Sequence, residues 1–291
     1  MIVEIYRKII PLEIRSIIAR VRFFYEKRDA YNKVLSGQYK KYKAECEYMK
    51  NIGKITTFPY SFTEKYDYRD IAVYDDSNKK MKYVKIGGAK KLYFPKRWSK
   101  SFIKKYFNAI LCEQDPDSPH HYFDEDSRWL TDTVFIDVGS AEGYMALLVA
   151  DKVKKIIILE CDTEWREALE ATFEEYKHKV RILSKYAGMN TEDNMIRLDD
   201  VVEDDDSSVI VKMDVEGAEY DVLKGANNIM NNKRARFFVC VYHGDQDETI
   251  IRKYVEENGL KAETSEAVMF YRFGTEKNYS FRHGVLRCFN Y

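Results

Sequence analysis

Val134-Phe-Ile-Asp-Val-Gly-Ser-Ala-Glu-Gly-Tyr144 decides the fold. An apolar run ends on Asp137, a turn of small residues follows, and a helical pattern begins near Tyr144. A parallel strand that hands a ligand to a helix is written this way. Backbone N–H groups of the turn and of the helix N-terminus face what binds there. Gly139 and Gly143 let the chain come close to a ligand where a Cβ would collide. The spacing is Asp-x-Gly-x-x-x-Gly, so the Gly-x-Gly-x-x-Gly dinucleotide fingerprint is absent.

Two more strand ends repeat the arrangement. Ile156-Ile-Ile-Leu-Glu160 is a short apolar run closed by an acid, 23 residues after Asp137. That is near the ~20-residue offset at which an acid meets ribose hydroxyls in open α/β sheets. Val209-Ile-Val-Lys-Met-Asp-Val-Glu-Gly-Ala-Glu219 again closes a buried-looking strand on a carboxylate, Asp214. It falls at the carboxyl edge, where such sheets bind ligands. Glu216 and Glu219 open a helix, where acids suit the macrodipole.

Strands are expected near 133–138, 155–160, 180–184, 208–214, 236–242 and 267–273, and helices near 143–152, 163–177, 217–231 and 247–258. The alternation implies an α/β fold, a mostly parallel sheet covered on both faces. The aromatic and basic stretch 278–291 supplies either a final strand or a cover over the substrate side. Ahead of the sheet, residues 55–111 read as a small β extension and a connecting helix. Residues 1–54 read as a basic helical segment, which leaves 112–291 for the main domain.

The segment Lys212-Met-Asp-Val-Glu-Gly-Ala-Glu219, behind Asp137-Val-Gly-Ser-Ala-Glu-Gly143, resembles the FkbM family of S-adenosylmethionine-dependent methyltransferases. Glu113-Gln-Asp-Pro-Asp-Ser-Pro-His-His-Tyr122 is similar to a segment that some bacterial members carry before the first strand. Leu159–Trp165, Arg197–Asp200 and Cys240–Asp247 also resemble family segments. Together they cover roughly residues 92 to 290. Ala141 stands where many class I methyltransferases have a middle glycine, and a small residue should still fit.

The resemblance implies a class I, Rossmann-like methyltransferase fold with S-adenosyl-L-methionine as cofactor. The expected cofactor-binding set is Asp137, Gly139, Ser140, Ala141, Glu142, Gly143, Glu160, Cys161, Asp214 and Gln114. His120, Glu216 and Tyr242 are expected on the substrate side. Family membership also implies O-methylation of a sugar or glycan-pathway hydroxyl. The alternatives are transfer to a protein or nucleic-acid nucleophile, or a non-catalytic scaffold at a membrane surface. A scaffold predicts a lost cofactor loop, whereas Asp137, Gly139, Gly143 and Glu160 are present. No Asn/Asp-Pro-Pro-Tyr signature of base methylation occurs, and no nucleic-acid partner is expected.

Methyl transfer to an alcohol asks the protein to align the acceptor and exclude water. A base must also take the proton that leaves. His243 follows the Phe237–Tyr242 run, so it should share a sheet edge with Asp214, and an imidazole titrates near neutrality. His243 and Asp214 are the catalytic candidates. Asp199, Asp200 and Asp245 add carboxylates that suit an oxygen-ligated Mg²⁺. No spacing requires one, and no metal is predicted.

Net charge is zero over 291 residues, but residues 1–105 hold 26 Lys+Arg against 11 Asp+Glu, and the remainder hold 22 against 37. The basic front can attract an anionic ligand or surface, or the acidic remainder of the chain. The stripe Ile2, Ile5, Tyr6, Ile9, Ile10, Leu12, Ile17, Val21 and Phe24 is amphipathic. It is expected to pack or dimerise through residues 1–30 rather than lie on a membrane. Five scattered cysteines without a Cys-x-x-Cys pair indicate neither zinc nor disulfides. No apolar stretch reaches the ~18 residues that span a bilayer, and Arg7, Lys8, Arg15, Arg20 and Arg22 interrupt any signal-like run. A cytoplasmic protein, with or without peripheral contact at the inner face of the membrane, is the expectation.

Overall fold

Seven strands make the central sheet: β1 (Val134–Val138), β2 (Lys155–Leu159), β3 (Val180–Leu183), β4 (Ser208–Met213), β5 (Arg234–Cys240), β6 (Lys261–Thr264) and β7 (Val285–Phe289). Their spatial order in this computed structural model is β3-β2-β1-β4-β5-β7-β6. Strands β1 to β5 run parallel, and β7 pairs antiparallel with both β5 and β6. The order reverses at β1, so β1 and β4 border the switch point, and ligands of open α/β sheets bind there. The central strands are apolar without alternation because both faces are covered. Phe135, Ile136, Ile156, Ile158, Val209, Val211, Phe237 and Val239 are all fully buried.

The structure describes residues 12–124, 127–244, 247–273 and 278–291, with side chains from Phe24 onward except at 273 and 278. The predicted stripe from Ile2 to Val21 therefore lies outside the described side chains, and Asp245 lies outside the described residues. Among those described, no helix is long and apolar enough to cross a membrane.

Two compact units form. The larger holds residues 62–268 and 283–291. In it an antiparallel three-stranded sheet (Tyr74–Asp76, Met81–Ile86, Lys90–Phe94) precedes α1 (Lys100–Glu113). The helix starts at Ser99, whose side chain accepts the Phe102 N–H, and ends before Asp115-Pro116. Its buried face is Ile103, Phe107 and Ile110. Then come α2 (Tyr144–Val149), α3 (Arg166–Thr172), α4 (Glu219–Lys224), α5 (Asn227–Asn232) and α6 (Asp247–Glu257). Among the described residues, the smaller unit joins 12–61 to 269–273 and 278–282. Its helices Leu12–Leu35 and Lys43–Asn51 accompany a hairpin, Met269–Phe273 with Asn278–Arg282. Tyr42 stacks on Phe281 at 4.3 Å, and the Phe270 N–H donates to the Thr57 carbonyl.

Three expectations change in detail. The strand expected at 267–273 belongs to that hairpin, and the sheet takes 261–264 and 285–289 instead. The helix expected at 217–231 breaks at Gly225, where a Cβ would lie 2.1 Å from the Gly188 carbonyl oxygen. The helix expected at 163–177 is α3 with a 3₁₀ turn at either end.

Candidate active site

A cavity opens between α1 and the carboxyl edge of β1 and β4. Its wall is Tyr106, Ala109, Ile110, Glu113, Gln114, His120, Tyr122, Asp137, Gly139, Ser140, Ala141, Glu142, Tyr144, Met145, Lys212 and Asp214. The turn after β1 is fixed from beneath by Lys212. This lysine sits inside β4 with its side chain 8% exposed. Its ammonium donates to the Gly139 carbonyl at 2.7 Å and lies 3.1 Å from Asp137 Oδ1. Burial works against its charge, but Asp137 and Asp214 outweigh it and raise its pKa above the ordinary lysine value. Ser140 Oγ donates to the other Asp137 oxygen.

The reason for the glycines lies in the protein itself. Gly139 has φ +66°, and a Cβ there would stand 1.9 Å from the Asp214 carbonyl oxygen. At Gly143 a Cβ would press on Leu169 and Phe173 at 2.9 Å. Gly139→Val is therefore expected to destabilise the fold by about 3 kcal/mol or more, seen as a large drop in Tm by calorimetry. An unchanged Tm would mean the turn does not close against Asp214.

Ala141 takes φ +47°, which explains why a glycine is usual at this place. Its N–H donates to Glu160 Oε2 at 2.7 Å, and Glu160 Oε1 accepts from the Asp162 N–H at 2.7 Å. Glu160 thus shapes the turn through two backbone N–H groups, and its carboxylate keeps further lone pairs free to accept. Neither Glu160 nor the exposed Cys161 lines the cavity. Glu142 does, and it accepts from Tyr106 at 2.8 Å.

Asp214 gathers the polar side chains of three elements. Tyr122 donates to Oδ2 at 3.3 Å, and Tyr242 lies 3.4 Å from the same oxygen. His120 Nε2 lies 3.2 Å from the Tyr242 hydroxyl. Burial drives His120 down to about 4 against the pull of Asp214, so its imidazole is neutral. With a neutral ring and an ionised carboxylate, the chain runs His120 N–H to Tyr242, then Tyr242 O–H to Asp214. Burial pushes Asp214 up, but the Lys212 ammonium above all, with His243 beside it, outweighs burial and holds the carboxyl below its usual range. Cys240 approaches Tyr122 at 3.3 Å, and burial raises its thiol far above the ordinary value, so it stays protonated.

His243 follows β5 and is 6% exposed. Its Nδ1 is 2.9 Å from Glu219 Oε1, which also accepts the Val215 N–H at 3.0 Å. This bond fixes the tautomer and leaves Nε2 as the basic nitrogen. Among the described residues Nε2 has no hydrogen-bond partner. It lies 3.4 Å from Asp214 Oδ1 and 3.7 Å from Glu216 Oε2. Glu216 itself adopts φ +55°, a left-handed backbone in the turn after β4. Such strain, held next to the His243 imidazole, is of the kind that clusters at functional loops.

The structure therefore brings His243, Asp214, His120, Tyr242 and Glu216 together. Gln114 lines the cavity but braces the following loop, accepting from the Tyr122 N–H at 3.3 Å. Asp199 caps α5 through the N–H groups of Asn228 and Ile229, and Asp200 pairs with Arg197. Lys212, Tyr106, Glu113, Tyr122 and the Glu219 partnership were not foreseen from the sequence. A charge inside the run Val209-Ile-Val-Lys-Met213 was the available signal, because a buried charge demands a partner.

A family model described as the methyltransferase FkbM domain matches residues 110–262. No curated protein matches the chain by sequence. Among solved structures, the methyltransferase FkbM from Methylobacillus flagellatus KT is similar at 17% identity and a TM-score of 0.44, over 64% of this chain and 54% of that one. The chain thus spans about half the length of that relative. The magnesium protoporphyrin IX methyltransferase of Synechocystis PCC 6803, solved with bound SAM, is similar at 13% identity and a TM-score of 0.39, over 65% of this chain and 84% of that one.

Proposed function

The chain belongs to the FkbM methyltransferase family, and from that premise we propose that it moves a methyl group from S-adenosylmethionine to the hydroxyl of a sugar or glycan-pathway intermediate. The observation that carries the hydroxyl is His243. Its Nδ1 is anchored on buried Glu219, and its Nε2, buried and without a hydrogen-bond partner among the described residues, lies 3.4 Å from Asp214 Oδ1, through which it adjoins the cavity wall. A hydroxyl acceptor needs such a base, whereas a neutral amine attacks before it loses its proton.

The lining of the cavity fits the cofactor. Carboxyl groups of Asp137, Glu142, Asp214 and Glu113 surround a single ammonium, Lys212, among the lining residues. That excess suits a ligand of net positive charge, with a sulfonium and an α-ammonium against one α-carboxylate. When bound, the cofactor supplies an electrophilic methyl group and leaves as a neutral thioether. His243 Nε2 takes the proton as the acceptor oxygen forms its bond to carbon. Asp214, ionised beside it, stabilises the imidazolium that results. Tyr122 and Tyr242 orient Asp214, and the loop at 114–124 shields the site. That loop is tied down by Asp115 to Tyr66 at 2.6 Å, and by Arg287 to the carbonyls of His121 and Tyr122.

The saccharide class rests on the family resemblance. A panel of free sugars, nucleotide sugars, peptides and RNA, offered with methyl-labelled cofactor, tests it. Label is expected in an alkali-stable ether on a sugar. Label only in peptide or RNA would overturn the acceptor class and leave the family intact.

A further inference from the structure

Glu113 is the one carboxyl group of the cavity wall that no other side chain holds among the described residues. It is the last residue of α1. A 14-residue helix ends there with its unpaired carbonyls and the negative pole of its dipole, an unfavourable place for an anion and a favourable one for a cation. No hydrogen bond or ion pair is found for its side chain among the described residues, although every other acid of the wall is held. Asp137 has Lys212 and Ser140, Glu142 has Tyr106, and Asp214 has Tyr122. Its neighbour Gln114, the residue expected to touch the cofactor, spends its amide on the loop backbone.

From this geometry, and resting on the S-adenosylmethionine reading above, we propose that Glu113 is the subsite for the α-ammonium of the cofactor's methionine end. A half-buried carboxyl at a helix C-terminus, facing a cavity and lacking a partner, is an unfavourable arrangement that a bound ammonium relieves. The sulfonium is a poor match for this position. It carries no N–H to donate, and its methyl group must face the acceptor beside His243 and Asp214. Burial raises Glu113 to about 8, helped by Asp214 and Glu142 and opposed by Lys212. With no cation beside it, it therefore holds a proton at pH 7, which it gives up to pair with the ammonium.

The test is calorimetric titration of the full chain and Glu113→Gln with three ligands. S-adenosylhomocysteine has the ammonium and no sulfonium, S-adenosylmethionine has both, and 5′-methylthioadenosine has neither. The substitution is expected to weaken the first two alike, about 10- to 100-fold, and to spare the third. Wild-type binding of S-adenosylhomocysteine at pH 7, repeated in buffers of different ionisation enthalpy, is expected to release close to one proton, and the variant none. Unchanged affinities, equal weakening of all three ligands, or a loss confined to S-adenosylmethionine would each overturn the assignment. So would proton release that persists in the variant. If the wild type binds none of the three, the cofactor reading itself fails, a result distinct from any difference between wild type and variant.

Discussion

Lys212→Met is expected to destabilise the protein by about 3–5 kcal/mol, the cost of leaving one member of a buried ion pair alone. The ammonium is the cation beneath Asp137, and it also holds the Gly139 carbonyl, which no methionine can do. Its charge further holds Asp214 below the usual carboxylate range. Chemical denaturation should show the loss as a lower midpoint at unchanged slope. Adding Asp137→Asn to the variant removes the stranded charge and should recover a good part of the loss. The double substitution must still bind cofactor weakly, because the turn keeps no staple at the Gly139 carbonyl. Equal stability of Lys212→Met and wild type would mean that Asp137 is solvated rather than paired.

That lysine also shows where sequence reading stops. Strand ends were legible because apolar runs that stop at Asp137, Glu160 and Asp214 are local patterns, and the sheet has them at its carboxyl edge. The positions of Gly139 and Gly143 were legible too, but their reason was not. What a Cβ would strike is the Asp214 carbonyl at one and Leu169 and Phe173 at the other. Those contacts are made by chain distant in sequence. Glu219 reads as an ordinary first-turn acid, and its partner His243 lies 24 residues on. Strand β6, Lys261-Ala-Glu-Thr264, escaped notice because an edge strand with exposed and half-buried positions carries little apolar signal. The run at 269–273 is as apolar as a sheet strand, so periodicity alone could not send it to a separate hairpin.

His243→Ala is expected to lower kcat by about 10²–10⁴-fold, the range for losing a positioned general base, while cofactor affinity stays unchanged. The pH profile separates this role from a structural one. Burial lowers the pKa of His243, but Glu219, Asp214 and Glu216 outweigh it and raise it above the ordinary histidine value. A raised pKa means the proton is held to higher pH, so the base form, and with it kcat, grows as pH rises through that value and levels off above it. Glu219→Gln takes the anion from Nδ1. The limb should then move to lower pH and its plateau should fall, since a weaker base accepts the proton less readily. In His243→Ala the limb should vanish and leave a low, flat rate. The same raised pKa makes the His243–Glu219 pair a stabilising contact below the ordinary histidine range, and that contribution is lost as pH rises through the folded value. Stability and turnover should therefore respond to pH in opposite directions through the same group. A variant without His243 that kept both the rate and the limb would remove this residue from the chemistry, and Asp214 would be left as the proton acceptor.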